Sequence, residues 1–299
     1  MTELVLELRP PESQHYGSWK ERLETVARYN DPDEVHALCE KAYSLGARAV
    51  LAVFDDTIRE ALAAFQRWRD MEVWAVLPNM FAFIRDLTDL GLVGAARARF
   101  LRLTPTQMAR TAFRAMLDLG SIRRRDLAVG TMLVSEMELA ALRGLRVTRL
   151  FLHPQVTEVA LAGGAVAVFT ALAAASERLG IDSGLVTHNP LRAATVLGPE
   201  LRRFAAIIAP CNPKGYKMFP NREACERLFR SDPARFIAAE VTAGGTLDQE
   251  AGLAHTRTLG LAGAILDRRM VEIAFRIGTS TWAGRAVRGP GERPIFQGA

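Results

Sequence analysis

Eight short runs of aliphatic and β-branched residues recur along the chain, and each run ends in a polar or Gly/Pro cluster. Amphipathic segments of helix length separate these runs. Uninterrupted apolar strands that alternate with helices are typical of parallel strands covered on both faces. Eight such units within 299 residues predict an α/β protein with a (β/α)8 TIM barrel rather than an open doubly wound sheet. The predicted strands are residues 4–8, 49–54, 73–77, 148–153, 184–188, 205–209, 236–241 and 262–266.

The third unit is longer than the others, which predicts a helical insertion over residues 79–146 after strand three. Helices are expected at 81–90, 106–119 and 135–142. Residues 126–134 are compatible with a ninth strand, but the run continues into the strong helix former SEMELAAL, which favours a helix. We expect one domain over residues 1–278. The Gly-, Pro- and Arg-rich tail, residues 279–299, is expected either to be disordered or to fold over the barrel.

Residues 159–175, VALAGGAVAVFTALAAA, carry no charge and approach the length that spans a membrane. A spanning helix needs about 20 apolar residues, and this run is shorter and rich in Ala and Gly. It also lies between two strand-like segments. The pattern therefore predicts a buried or interface helix, no membrane association, and a homo-oligomer.

The net charge is +5, yet only four of the 38 cationic residues are lysines and the arginines are spread along many helices. The dense run at residues 123–125 is short and has no interleaved aromatic residues, so we expect no nucleic-acid binding. Three cysteines exclude a disulfide scaffold, and the acidic start of the chain is unlike a signal peptide. We expect a cytoplasmic protein with a small-molecule substrate.

Catalytic groups of a barrel of this kind lie at the carboxyl ends of the strands. Two of the five histidines, His153 and His188, lie at the ends of neighbouring predicted strands, and we expect them to act as acid and base. Asp55 and Glu240 also follow strands and are expected to orient these groups. Of the other histidines, only His15 is expected to reach the mouth of the barrel.

Two of the four lysines, Lys214 and Lys217, lie in the single stretch NPKGYKMF after the sixth strand. The pKa of a lysine can fall on burial, which allows an imine or proton transfer, so at least one of them is expected to polarise a carbonyl group. Spacing does not tell which of the two faces inward. Further substrate contacts are expected from residues at the other strand ends, namely Glu7, Arg9, Asn79, Asn189, Asn212 and Tyr216.

Gly244 and Gly245 precede a helix start, and together with Arg268 they are expected to hold an anion. A divalent metal is the alternative at the same end of the barrel. Imidazole and carboxylate ligands suit zinc, manganese or iron, and His153, His188 and Asp267 are the candidate ligands. The expected site therefore either needs no cofactor or holds a divalent metal.

Several short motifs between residues 149 and 275 resemble the aldo/keto reductase barrel. They are LFLHP at 150–154, GLVTHN at 184–189, APCNP at 209–213 and GTL at 245–247. The resemblance implies the same barrel and a nicotinamide cofactor such as NADP, held beside a tetrad of Asp, Tyr, Lys and His. His153 matches the histidine of that tetrad and Asp55 is the candidate aspartate. No Tyr follows at the family's spacing, Pro78-Asn79 stands where a Lys is expected, and Arg268 is the sole candidate for the cofactor phosphate.

These observations predict a non-redox lyase or isomerase that uses acid/base or imine chemistry on a small polar or anionic carbonyl metabolite. Three alternatives stay open at this point. They are a nicotinamide-dependent reductase like those of the aldo/keto family, a metal-dependent hydrolase or isomerase, and a catalytically silent scaffold barrel.

Overall fold

The computed structural model describes residues 3–9, 18–124 and 126–276, and it contains the predicted barrel. Eight parallel strands pair in chain order and close between the last and the first. All eight predicted strands are confirmed, with ends that differ by one or two residues. The strands are β1 (Glu3–Leu8), β2 (Ala49–Ala52), β3 (Glu72–Leu77), β4 (Val147–Leu152), β5 (Asp182–Val186), β6 (Ala206–Pro210), β7 (Phe236–Ala239) and β8 (Gly263–Leu266).

Helices connect the strands and surround the barrel, as a right-handed βαβ chain requires. Short 3₁₀ segments at Gly198–Arg203 and Pro233–Arg235 complete the connections. The helices of the described part are α1 (Trp19–Tyr29), α2 (Pro32–Ser44), α3 (Asp56–Phe65), α4 (Met80–Phe100), α5 (Pro105–Leu117), α6 (Leu119–Arg123), α7 (Leu127–Ala141), α8 (Pro154–Ala162), α9 (Val166–Leu179), α10 (Pro190–Leu197), α11 (Arg222–Ser231), α12 (Gln249–Thr258) and α13 (Arg268–Arg276).

The middle of the barrel interior is filled by apolar side chains. Trp74 of β3 stacks on Phe151 of β4 with ring centroids 5.7 Å apart. Gly184 of β5 provides the space for this pair, because a Cβ there would lie 2.2 Å from the Phe151 ring. Smaller aliphatic side chains from the other strands complete the interior core. A closed interior of this kind restricts any ligand to the ends of the strands.

The insertion after β3 is helical, and residues 126–134 belong to α7 rather than to a ninth strand. Helix α4 extends ten residues beyond the predicted end, with a kink at Gly91, where φ is +68°. Arg99 of α4 is buried and holds the insertion together through ion pairs to Asp86 at 2.8 Å and to Glu138 of α7 at 3.0 Å. The helices α5 and α6 contain no buried residues, so the insertion is thinly packed compared with the barrel.

The apolar run at 159–175 forms two helices, α8 and α9, so the prediction of one helix is wrong. The chain reverses at Gly164, where φ is +63°, a conformation that glycine adopts without strain. Most of α9 packs in the core beside β4 and β5, including Phe169 and Leu172. Over the described residues, no helix combines the length and apolar character needed to cross a bilayer.

The predicted tail at 279–299 and His15 lie outside the described residues. The domain boundary at residue 278 stays a prediction for the same reason.

Candidate active site

A cavity of about 950 Å³ opens at the carboxyl ends of the strands, where barrel enzymes carry their chemistry. Its floor is aliphatic, with Leu51, Val186 and Ile208 from the barrel interior. Polar side chains reach it from β1, β4, β5 and the loops after β6 and β7. Six of the predicted site residues line it, namely Glu7, Arg9, His153, His188, Lys217 and Glu240.

His153 begins α8 and is almost completely buried, with 2% of its surface exposed. Its Nδ1 accepts a hydrogen bond from the backbone N–H of Gln155 at 3.3 Å, so the neutral ring carries its proton on Nε2. Burial, and secondarily the nearby Arg9 cation, lowers the pKa of His153 to about 4. At neutral pH the ring is therefore an uncharged hydrogen-bond donor.

His188 follows β5 and is oriented through its backbone. Glu158 of α8 accepts hydrogen bonds through one Oε1 atom from the His188 backbone N–H at 2.7 Å and from the Thr187 hydroxyl at 2.8 Å. That oxygen is 4.0 Å from the His188 ring. Burial lowers the pKa of His188, and the Lys217 cation adds to this while Glu158 opposes it. A neutral imidazole that is 42% exposed can accept a proton from a ligand.

Lys217 and Glu240 form an ion pair with Nζ and Oε1 2.6 Å apart. Both residues have left-handed backbones, with φ of +56° and +53°, which is costly for side chains of this kind and is typical of functional sites. The buried Asn212 side chain holds them there. It donates to the Tyr216 and Glu240 carbonyl oxygens at 3.0 and 3.1 Å and accepts from the Tyr216 N–H at 2.9 Å.

The two lysines of the NPKGYKMF stretch face different directions. Lys214 donates to the Thr246 carbonyl oxygen at 2.7 Å, on the exposed side of the loop and outside the cavity lining. Lys217 is the lysine among the described lining residues. The structure thus separates two side chains that the sequence left equivalent, and Lys217 is the one that lines the cavity.

Arg9 and Glu7 add a second ion pair to the polar side of the cavity. The Arg9 guanidinium donates to Glu7 Oε1, with Nε at 2.8 Å. The Glu7 charge raises the pKa of Arg9 further, with Glu240 and Asp267 contributing. Each cation of this wall has a carboxylate partner, so the wall offers directed donors and acceptors rather than an excess of positive charge.

Three predicted site residues are helix caps instead. Each lies at a strand end, but its side-chain oxygen accepts a backbone N–H of the helix that follows, and none of the three lines the cavity. Asp55 caps α3 at 2.7 Å, Asn79 caps α4 at 3.1 Å, and Asn189 caps α10 at 3.0 Å. Asn79 also donates to the Phe54 carbonyl oxygen at 2.8 Å, which ties β2 to the insertion. The structure thus shows Asp55, Asn79 and Asn189 as helix caps outside the cavity lining, which gives no support to their predicted catalytic and binding roles.

The predicted anion cradle is not formed by its expected members. Gly244 packs against the Tyr216 ring, where a Cβ would lie 3.1 Å away, and φ is +68° at Gly244 and +84° at Gly245. Tyr216 and Asn212 act in this loop and do not line the cavity. Arg268 binds Glu272 at 3.3 Å on the outer helix α13 and does not line the cavity either. Gly244, Tyr216 and Asn212 thus make their contacts within the loops after β6 and β7, and Arg268 makes its contact along α13.

Of the predicted metal ligands, His153 and His188 line the cavity and Asp267 does not. Asp267 accepts the Met270 N–H at 2.8 Å at the start of α13, and burial raises its pKa. Within the described ranges, no three His, Cys, Asp or Glu side chains come together in a way that could hold a metal ion. The residues that the resemblance implies do not fit their roles either, because the tetrad candidate Asp55 caps α3 and Arg268, the candidate for the cofactor phosphate, is paired with Glu272.

Sequence reasoning missed two groups of cavity residues. Glu158 and Thr187 orient His188, and the only available signal was their position just after strands β4 and β5. The second group is apolar and comes from the insertion and from α8. It comprises Met80, Phe81, Ile84, Leu127, Val156 and Val159. Apolar residues on amphipathic helices are too common to be recognised as a binding wall before the fold is known.

Comparisons with known proteins find no relative of this chain. No family model, no curated protein and no solved structure matches the chain. The fold therefore stands on the closed eight-stranded parallel barrel, and the function has to be argued from the cavity itself.

Proposed function

We propose that the protein is a lyase or isomerase that moves a proton next to a carbonyl group. The observation that carries the proposal is that the Lys217–Glu240 ion pair and two neutral histidines face one cavity at the catalytic end of the barrel. Barrel enzymes use these positions for chemistry, and clusters of groups with shifted pKa values are typical of active sites.

In the proposed step, His188 accepts the proton from the carbon next to the carbonyl group of the substrate. The electron pair of that C–H bond then forms the enolate, whose negative charge lies on the former carbonyl oxygen. Lys217 donates a hydrogen bond to this oxygen, and its ammonium group is held in place by Glu240. His153 supplies a second, uncharged donor through Nε2. With a hydroxyl group on the deprotonated carbon, an isomerase moves the hydroxyl proton to the former carbonyl oxygen and returns the proton held by His188 to the former carbonyl carbon. A lyase instead re-forms the carbonyl group and expels hydroxide from the β carbon, which leaves as water with the proton held by His188.

The paired charges support a neutral carbonyl substrate better than an anionic one. Arg9 and Lys217 are both compensated by carboxylates, and Glu158 adds a further negative charge. A carboxylate or phosphate would have to displace one of these partners. An aldehyde or ketone needs only the donors that Lys217 and His153 present.

The test is deuterium incorporation from D2O into a panel of aldehydes, ketones and hydroxyketones, followed by NMR. We expect exchange at the carbon next to the carbonyl of at least one compound. Lys217→Met should lower the rate at least 100-fold, since it removes the donor to the enolate oxygen. Lys214→Met is the matched control and should stay within threefold of the wild type. Equal losses in both variants, or no exchange above the solvent background, would contradict the proposal.

Imine chemistry at Lys217 is a second candidate, supported by the placement of this amine in the cavity. Borohydride added together with an exchanging compound distinguishes the two mechanisms. Covalent labelling of Lys217 would establish the imine, and continued turnover without labelling would support proton transfer alone. No geometric observation favours an aldo/keto-type reductase, because the tetrad implied by the resemblance is not assembled. The homo-oligomer and the cytoplasmic location stay predictions.

A further inference from the structure

The walls of the cavity are divided by chemistry around the barrel. The charged and polar side chains come from β1, from the residues after β4 and β5, from the loops after β6 and β7, and from Gln155 and Glu158 of α8. The side facing them is apolar and comes from β2, β3, the insertion helices α4 and α7, and Val156 and Val159 of α8. Because the strands pair in chain order around a closed barrel, these two groups lie on opposite sides of the mouth.

His153 marks the boundary between the two sides. It lies between β4 and α8, and its ring and that of Phe81 of α4 meet edge to face with centroids 5.5 Å apart. A carbonyl oxygen that accepts from His153 Nε2 therefore has apolar side chains of the insertion on one side of it and the Lys217 pair on the other.

The apolar wall remains open at the mouth. Phe81, Ile84, Leu127 and Val159 line the cavity, although 36% to 62% of each side chain is exposed. Exposed aliphatic and aromatic groups that converge on one cavity are favourable contacts for an apolar ligand, since each contact removes surface from water. A volume of about 950 Å³ is also at the upper end of the range for drug-sized ligands, which exceeds the needs of a three- or four-carbon metabolite.

We propose that the substrate is an amphiphilic carbonyl compound, with its carbonyl at Lys217 and an aliphatic chain along the wall formed by α4, α7 and α8. The position of the carbonyl rests on the proposed function, whereas the chain is assigned by the apolar wall alone. The insertion after β3 is then the element that selects the substrate, while the loops after β6 and β7 carry the chemistry.

Ligand-observed NMR titrations with 2-butanone and 2-octanone test the chain. Each methylene that is fully buried strengthens binding about fourfold, and the two probes differ by four methylenes. Because the wall is partly open, we expect 2-octanone to bind at least tenfold more tightly than 2-butanone. A ratio below threefold would overturn the inference.

Two cavity variants and one matched control assign the chain to this wall. Ile84→Asp and Val159→Asp place a charge on the wall from α4 and from α8, and each should reduce the ratio below threefold. Both side chains are about half exposed, so the fold tolerates the change. Val93→Asp is the control, because Val93 also belongs to α4 but is 82% exposed and does not line the cavity. An equal loss in the control would show that 2-octanone binds elsewhere on the insertion, against the inference.

The outcomes separate this inference from the proposed function. If the chain-length ratio is found but no compound exchanges deuterium, the apolar wall stands and the proton-transfer chemistry falls. If short and long carbonyl compounds bind and exchange equally, the chemistry stands and the chain assignment falls.

Discussion

The two sides of the cavity are built in different ways. The loops after β6 and β7 are tied together by a buried amide, Asn212, and hold Lys217 and Glu240 on strained backbones. The insertion after β3 exposes much of its apolar surface, and α5 and α6 bury no residue. Strain persists only where the surroundings over-determine the conformation. The loops after β6 and β7 therefore form a rigid side that positions charges, while the thinly packed insertion supplies shape and apolar contact.

The insertion depends on one buried cation, and removing it has the largest expected effect. Arg99 is 7% exposed and binds Asp86 and Glu138. Loss of one partner from a buried ion pair costs about 3–5 kcal/mol, so Arg99→Leu should lower the free energy of unfolding by that amount in urea titrations. Burial already raises the pKa of Glu138, and without Arg99 it is left as an uncompensated charge.

Arg85→Leu is the matched control for this prediction. Arg85 also approaches Asp86, at 3.7 Å, but its side chain is 68% exposed. Surface ion pairs contribute about 0–1 kcal/mol, so the control should hardly change the unfolding free energy. Adding Glu138→Gln to Arg99→Leu should recover part of the loss, since it removes the unpaired charge. Equal effects of the two arginine variants would show that the insertion is not held by its buried pair.

His153 lies between the two sides and gives the second prediction, which concerns pH. Its pKa is lowered from 6.5 to about 4 in the folded protein, so the unfolded chain binds the proton first as the pH falls. Protonation of this residue therefore leaves the free energy of unfolding unchanged above pH 6.5 and lowers it as the pH falls from 6.5 towards 4. At pH 4.5 the free energy of unfolding is lower than at neutral pH by about 2.5 kcal/mol from this residue.

His153→Asn is the variant that isolates this effect. Asparagine is a good helix cap and can accept the Gln155 N–H in place of Nδ1, but it does not titrate. The difference in unfolding free energy between the wild type and the variant should shift by about 2.5 kcal/mol in favour of the variant between pH 7.5 and 4.5. Parallel pH profiles for the two proteins would contradict the buried neutral histidine.

The barrel was predictable from sequence because its signal is repeated and physical. Eight apolar runs alternate with helices, and each strand is covered on both faces, so errors at single positions do not change the conclusion. The run at 159–175 shows the limit, since its composition predicts one helix whereas Gly163-Gly164 separate two helices.

The site was less predictable, because polar side chains that follow strands can either cap the next helix or reach the cavity. Asp55, Asn79 and Glu240 all follow strands, yet the first two cap helices and only Glu240 reaches the cavity. The choice depends on side-chain direction in three dimensions. The same holds for Lys214 and Lys217, which are three residues apart and bind different partners on different sides of the loop.

The third prediction tests whether Asn212 is the positioning residue of the rigid side. Asn212→Ala removes three hydrogen bonds in a fully buried environment and leaves the Tyr216 and Glu240 backbone groups without these partners. We expect a loss of about 2 kcal/mol in unfolding free energy. The deuterium exchange rate should fall while the 2-octanone to 2-butanone binding ratio stays unchanged. A lowered binding ratio would show that the two sides are not independent.

Lys214→Met has the smallest expected effect on the free energy of unfolding. It tests whether Asn212 or Lys214 holds the loops after β6 and β7 together. Lys214 also bridges the two loops, through the Thr246 carbonyl oxygen at 2.7 Å, but the contact is exposed to water. Water replaces an exposed hydrogen bond, so the unfolding free energy should fall by at most about 0.5 kcal/mol. A loss as large as that of Asn212→Ala would mean that the surface lysine holds the loops. The expected difference between the two variants instead assigns the position of the Lys217–Glu240 pair to the buried amide.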